Sequence, residues 1–367
     1  MEIKATKPVM PLFEDYVNEI RSIWDTGILT NNGEKVQRFS EKLKTYLDCE
    51  NIDLFVNGHS ALYLAIKVMD LEGEVITSPF TFVSTTNAIV QNGLTPVFGD
   101  IDENYNLDPN SIEDLITEKT SAIITPHIFG IPCDVKSIEE IAKKYNLKVI
   151  YDAAQAFGTK INGKSIAHYG DATMFSFHAI KVFNSIEGGA VVYRNSKLKE
   201  KFELYRNFGI SYGETNDVLV SGINAKMNEF QAAMGILNLS SLEQEIAKRK
   251  KIAQQYINTL KHVEGIETYS YKNNIEYNYA YFPIIVTQKY GRSRDELWKH
   301  LKDVGIGSRK LYDLLTCDYS LYQNCGYVNH IEKANYIKKI CLDMPMYAGL
   351  TYKEIQYICD EIKMYRK

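Results

Sequence analysis

The chain has 367 residues, of which 45% are hydrophobic and 24% charged, a composition too apolar for a disordered chain and typical of a globular one. Single cores stop growing at roughly 250–300 residues, so two domains are expected. The formal net charge of −4 excludes the basic field by which nucleic acid or an anionic membrane surface would be recognised, so neither partner is expected.

Met1 to Pro8 contain no apolar signal core, and no later stretch approaches the ~20 apolar residues of a membrane span. The cytoplasm is therefore the expected compartment. The cysteines, Cys49, Cys133, Cys317, Cys325, Cys341 and Cys359, form no C-x-x-C pair and no His/Cys cluster of metal-ligand spacing, which points to reduced thiols and no metal site.

Apolar residues recur at helical spacing from Leu12 to Trp24, Asn31-Asn32-Gly33 breaks the pattern, and a second amphipathic helix follows around Val36 to Leu47. Leu54-Phe55-Val56 reads as a strand entering Asn57-Gly58-His59-Ser60, and Ala61 to Met69 as the next helix, with Ser60 as its cap. Free N–H groups and the positive dipole end of such a helix start can bind phosphate, although a plain capped helix has the same signature. Strands are then expected at Glu74 to Thr77, Thr95 to Phe98, Ala122 to Thr125 and Lys148 to Tyr151, alternating with helices at Ser84 to Asn92, Ser111 to Ile116 and Ser137 to Tyr145. This alternation predicts a mostly parallel sheet covered by helices, with ligands at the carboxyl ends of its strands. Ser78-Pro79-Phe80-Thr81-Phe82 and Asp152-Ala153-Ala154-Gln155 stand at two such ends.

Two apolar strands, Ala172 to Phe177 and Gly189 to Tyr193, flank a turn that carries one lysine, Lys181. A lysine presented between buried strands can lose hydration, which favours the neutral amine that attacks a carbonyl carbon. A long helix, Asn228 to Leu260, carries the basic run Lys248-Arg249-Lys250-Lys251, read as a solvated face. A smaller α+β part follows, with a strand at Ala280 to Val286, a helix at Ser293 to Val304, a strand-like Gly305 to Ser308 and a terminal helix at Lys353 to Met364.

No G-x-G-x-x-G follows a strand, and neither G-x-x-x-x-G-K-[ST] nor H-E-x-x-H occurs. A lysine for an aldehyde, a carboxylate for a ring nitrogen, an aromatic for a ring face and a helix start for a phosphate together suit pyridoxal 5′-phosphate.

The chain also resembles the sugar aminotransferases of the DegT/DnrJ/EryC1/StrS family almost end to end. The resemblance is carried by Gly27-Ile28-Leu29-Thr30, Asn57-Gly58-His59-Ser60-Ala61-Leu62, Pro79-Phe80-Thr81-Phe82-Val83, Asp152-Ala153-Ala154-Gln155-Ala156, Ser176-Phe177-His178-Ala179-Ile180-Lys181, Glu187-Gly188-Gly189, Arg206-Asn207-Phe208-Gly209 and Asn224 to Ala233. It implies an aspartate-aminotransferase-like α/β fold. Residues 1–245 would form the large domain with an N-terminal arm, and residues 246–367 the small one. Lys181 would hold pyridoxal phosphate as an internal aldimine and shuttle protons, while Asp152 would pair with the ring nitrogen. Gln155 would bond the 3-oxygen and Phe82 would stack on the ring. The phosphate would take the N–H groups of His59 and Ser60, the Ser176 hydroxyl and, from the neighbouring subunit of a homodimer with shared sites, Asn224. His178 and Tyr312 would lie near the sugar.

Two positions depart from the family pattern, His59 and Ile180, where many relatives have threonine. The run from Phe177 to Asn184 with Glu187-Gly188-Gly189 is most similar to enzymes that aminate C4 of dTDP-4-keto-6-deoxy-D-glucose. The reaction implied is ping-pong transfer from L-glutamate through pyridoxamine phosphate, in the making of a bacterial surface polysaccharide such as O-antigen. Amination at C3 or of another keto-sugar nucleotide, and a non-catalytic sensor or scaffold on the same fold, are the alternatives.

Overall fold

The computed structural model describes residues 2–213, 216–328 and 330–366. Its central sheet contains β1 (Ile52–Phe55), β2 (Glu74–Thr77), β3 (Thr95–Phe98), β4 (Thr120–Pro126), β5 (Lys148–Asp152), β6 (Ala172–Ser176) and β7 (Gly189–Tyr193), with Tyr327–Val328 added at one edge. The order is β1-β7-β6-β5-β4-β2-β3 and then Tyr327–Val328. Only β7 runs antiparallel to its neighbours. The expected mostly parallel α/β sheet is therefore present, with the β6–β7 hairpin as its antiparallel element. Every residue of β1, β2, β6 and β7 is buried, as both faces of a helix-covered sheet require.

The first four helices are α1 (Phe13–Thr26), α2 (Glu34–Leu47), α3 (Gly58–Val68) and α4 (Val83–Gln91). The start of α2 follows Gly33, which has no capping side chain, and the buried Glu229 carboxylate takes its place. Glu229 accepts from the N–H of Lys35 at 2.7 Å and of Val36 at 3.3 Å, which also suits the positive end of the dipole. Glu229 opens the helix Glu229–Leu260, whose capping box is built by Asn228 and Gln231. This helix lies so close to α2 that a Cβ at Gly235 would stand 2.5 Å from the Phe39 ring.

The helix Glu229–Leu260 runs unbroken across residue 245, so the expected division falls inside one element. Beyond it, Ile266–Thr268, Pro283–Val286 and Cys341–Asp343 form a three-stranded antiparallel sheet. Its core includes Tyr256, Phe282, Leu297 and Ile358. The strand expected at Ala280 to Val286 begins only at Pro283 because Tyr279, at φ +51°, turns the chain just before it. Gly305 to Ser308 forms single bridges rather than a strand: Ile306 pairs with Ile3, and Arg309, just beyond, pairs with Asp343. Ser111 to Ile116 resolves into one helical turn, Pro109–Ile112, and a 3-10 turn, Glu113–Leu115. Among the described residues, no helix is long and apolar enough to cross a membrane.

Candidate active site

A cavity of about 480 Å³ opens at the carboxyl ends of β2, β5 and β6. His59, Phe82, Asp152, Gln155, Ser176, His178, Lys181 and Tyr312 all line it. Parallel-strand topology explains the convergence, since every crossover returns the next strand end to the same edge.

Lys181 sits in the β6–β7 loop, half-buried. Its own N–H donates to the His178 carbonyl at 2.9 Å, the Ser185 N–H closes the loop onto the Phe177 carbonyl at 2.9 Å, and the Ser185 hydroxyl donates to the Glu187 carbonyl at 2.9 Å. His178 is spent within this loop. Its Nδ1 accepts from the Ile180 N–H at 3.3 Å, so Nε2 carries the proton and faces Glu187 Oε1 at 3.3 Å. The residue expected near the sugar therefore also ties the two ends of the lysine loop together.

Asp152 ends β5 and is held on both flanks, opposite Pro126 of β4 and Met174 of β6. Its Oδ1 accepts from the Ala154 N–H at 3.0 Å and its Oδ2 from the Thr85 hydroxyl at 2.8 Å. Thr85 is in turn 3.3 Å from the Thr81 hydroxyl. Burial pushes the Asp152 carboxyl up, while these two donors and the charges of Lys181 and His59 pull it down, leaving a net rise. A buried carboxylate in this state gains from a cation set against it.

At the start of α3 the sequence reading needs correction. The cap is Asn57, whose Oδ1 accepts from the Ser60 N–H at 2.8 Å, so that donor is already spent. Ser60 does not line the cavity. The N–H groups without a partner among the described residues are those of Gly58 and His59. The His59 ring does not supply a further contact. Its Nδ1 lies 2.8 Å from the Ser84 hydroxyl and its Nε2 3.0 Å from Gln91 Oε1. A Cβ at Gly58 would stand 2.7 Å from Ser176 Cβ, and one at Gly189 would stand 2.6 Å from the Asn57 carbonyl oxygen. These two glycines let helix start and strand end close into one cradle.

Phe82 is 62% exposed and lines the cavity. Asn224 does not line the cavity of its own chain; its Oδ1 accepts from Lys226 Nζ at 3.0 Å.

Residues outside the expected set complete the walls. His127, fully buried on the floor, stacks on Tyr151 at 4.8 Å and accepts at Nδ1 from the Cys133 N–H at 3.0 Å. Burial lowers its pKa to about 3, so it is neutral near pH 7, and its Nε2 has no partner among the described residues. Arg309 reaches the wall with Nε and Nη2 on Asp343 Oδ2, at 2.9 and 2.6 Å, and its guanidinium 5.0 Å from the Tyr281 ring centroid. Its sequence context, Ser308 to Tyr312, gave no signal for the pairing with Asp343, which lies 34 residues away.

The donor set fits pyridoxal phosphate on these observations. The half-buried lysine, the buried carboxylate that gains from a cation, the uncovered aromatic face and the two free N–H groups beside Ser176 match its aldehyde, ring nitrogen, ring and phosphate.

Comparison with known proteins agrees with this geometry. The family model of the DegT/DnrJ/EryC1/StrS aminotransferase family matches residues 12–363. The chain belongs to this family. It is 40% identical over 362 residues to the dTDP-4-amino-4,6-dideoxy-D-glucose transaminase of Shigella dysenteriae, covering 98% of each chain. It is 39% identical over 233 residues, 62% of this chain and 64% of the other, to the dTDP-3-amino-3,6-dideoxy-alpha-D-galactopyranose transaminase of Aneurinibacillus thermoaerophilus. Among solved structures, DesI, crystallised in the presence of its TDP-sugar product, superposes with a TM-score of 0.93 at 27% identity, covering 99% of this chain and 92% of that one. The family's aminotransferases use pyridoxal phosphate, as the donor set here requires.

Proposed function

We propose that this enzyme transfers the amino group of L-glutamate to C4 of dTDP-4-keto-6-deoxy-D-glucose, giving dTDP-4-amino-4,6-dideoxyglucose and 2-oxoglutarate. The observation that carries the reading is the convergence of Lys181, Asp152, Phe82 and Ser176 on one cavity. Near-complete coverage of the C4 transaminase, against partial coverage of the C3 enzyme, supports C4 as the site of amination.

Pyridoxal phosphate, when bound, supplies an aldehyde carbon for the amine and a ring that accepts electrons. Lys181 is the amine that would hold that carbon, and its free amine would move a proton to and from the substrate carbon. One base serves both half-reactions. Asp152, fixed by Thr85 and Ala154, would keep the ring nitrogen protonated. Gly58, His59 and Ser176 would hold the phosphate through two N–H groups and a hydroxyl, and Gln155 would bond the 3-oxygen.

Arg309 is the guanidinium on the cavity wall, and we assign it to a carboxylate of the donor. Asp343 holds it by Nε and Nη2, which leaves Nη1 for a ligand. Arg309→Lys keeps a cation beside the buried Asp343 but loses the planar fork. A charge-assisted hydrogen bond is worth ~1.5–3 kcal/mol, so the KM for L-glutamate should rise about 10- to 100-fold. The rate of the keto-sugar half-reaction in single turnover should stay within about threefold; a rise in the keto-sugar KM instead would move Arg309 to the sugar side.

A homodimer completes the site in this reading. Trp24, Ile28, Leu29, Phe208, Tyr212 and Leu219 are exposed apolar residues that a second copy would cover, and Asn224 would reach the partner's phosphate. The six cysteines are free, which suits the cytoplasm. The deciding experiment supplies pyridoxal phosphate, L-glutamate and the keto-sugar nucleotide, and identifies the product by mass and by NMR at C3 and C4. Nitrogen at C3 would overturn the regiochemistry, and the absence of 2-oxoglutarate would overturn the donor.

A further inference from the structure

Tyr312 was expected near the sugar, yet its best-defined contact is with Gln155. The Gln155 carboxamide is oriented without ambiguity by its neighbours. Its Oε1 accepts from the Phe129 N–H at 2.8 Å, and since a backbone N–H can only donate, the oxygen must face that way. Nε2 then faces the other side and donates to the Tyr312 hydroxyl at 2.6 Å. Phe129 holds φ +58°, a left-handed conformation costly for a bulky residue, so the surrounding structure fixes this N–H firmly. Tyr312 is equally confined: its side chain is buried, with Phe80 edge-on at 5.3 Å and 89°. Because Tyr312 accepts from Gln155, its own proton needs another acceptor, and none occurs among the described residues. Both side chains line the cavity beside Asp152 and Lys181.

We propose that Tyr312 is a positioning residue that acts through Gln155. Its hydroxyl oxygen holds the carboxamide with the second Nε2 proton toward the cofactor's 3-oxygen. The assignment rests on the cofactor reading above. It makes the segment from Ser308 to Tyr312, 157 residues from Gln155 in sequence at its tyrosine, part of the cofactor site.

A donor at the 3-oxygen stabilises negative charge there and so favours the deprotonated form of the enzyme-bound cofactor. Removing it raises the pH at which the bound cofactor's absorption changes. The experiment is a spectroscopic pH titration of the pyridoxal phosphate-loaded wild type, Tyr312→Phe, Gln155→Ala and the double variant, with KM for the keto-sugar measured on each active form. Tyr312→Phe should raise the midpoint by about one unit and leave the keto-sugar KM within about twofold. The double variant should shift no further than Gln155→Ala, because the tyrosine acts through the amide.

A Tyr312→Phe midpoint equal to wild type, with a raised keto-sugar KM, overturns the proposal and returns Tyr312 to the sugar. Shifts that add in the double variant also overturn it, since the two residues would then act separately. If Tyr312→Phe does not fold, Tyr312→Met, which fills the site without a hydroxyl, provides the same test, and an unchanged midpoint overturns the proposal. A wild type without any titrating cofactor band is a different failure, that of the cofactor reading itself.

Discussion

Lys181→Ala is expected to abolish amino transfer, with a loss on the order of 10⁴-fold or more, because in the proposed reaction one side chain would supply both the amine that holds the cofactor and the base that moves the proton. The fold should survive. The Lys181 ammonium has no ion-pair partner among the described residues, and the loop is closed by backbone and side-chain bonds that truncation leaves in place, from the Lys181 N–H to His178 and from Ser185 to Phe177 and Glu187. The measurement is a pair of spectra before and after adding L-glutamate, with cofactor supplied. Wild type should change its absorption as the amino group is taken up; the variant should not. Small primary amines in the buffer should restore a fraction of the activity, since the truncated side chain leaves room in the cavity. A variant that keeps more than about a hundredth of wild-type activity, free of contaminating wild type, would remove Lys181 from its role.

The lysine loop was legible in the sequence because its flanks are two short apolar runs that only a buried hairpin accommodates, and β6 pairs with β7 residue for residue. Asp152 was legible for a related reason: it ends the apolar run Val149 to Tyr151, and parallel topology makes strand ends into sites. What supports these residues was not legible. Thr85 lies 67 residues from Asp152, and nothing in a threonine at the start of an ordinary helix marks it as a partner for a distant carboxylate. The α3 cap was misread because Asn57 and Ser60 are both good capping residues; the choice fell to Asn57, whose extended backbone, φ −160° and ψ 169°, aims Oδ1 at the Ser60 N–H.

The part beyond the helix Glu229–Leu260 was the least readable, and its geometry explains why. Ile266–Thr268 and Cys341–Asp343 have three residues each, too few for an alternating pattern to emerge. Cys341–Asp343 also follows directly on the helix Glu332–Ile340, so helical spacing runs up to its edge. Yet this strand places Asp343 against Arg309, and so shapes a cavity wall.

Asp152→Asn separates charge from shape. The asparagine keeps Oδ1 for the Ala154 N–H, and its amide can donate to the Thr85 hydroxyl, which is then free to turn its proton to Thr81, 3.3 Å away. Packing is therefore retained while the negative charge proposed to hold the ring nitrogen protonated is gone. Activity should fall on the order of 10²- to 10³-fold, the scale of losing one preorganised electrostatic partner in a buried site. Stability of the cofactor-free protein should move the other way. The Asp152 carboxyl is raised by burial, so its favourable contribution is present below the unfolded-state pKa and is lost as pH rises through the higher folded-state value. Cofactor-free wild type should thus lose stability on going from acid toward neutral pH through this group, and the asparagine variant should lack that part of the loss. Thermal unfolding of both cofactor-free proteins at several pH values, together with kcat on the loaded forms, reads the two effects separately. A variant both less stable than wild type at neutral pH and impaired less than tenfold would mean that Asp152 serves the fold rather than the cofactor ring.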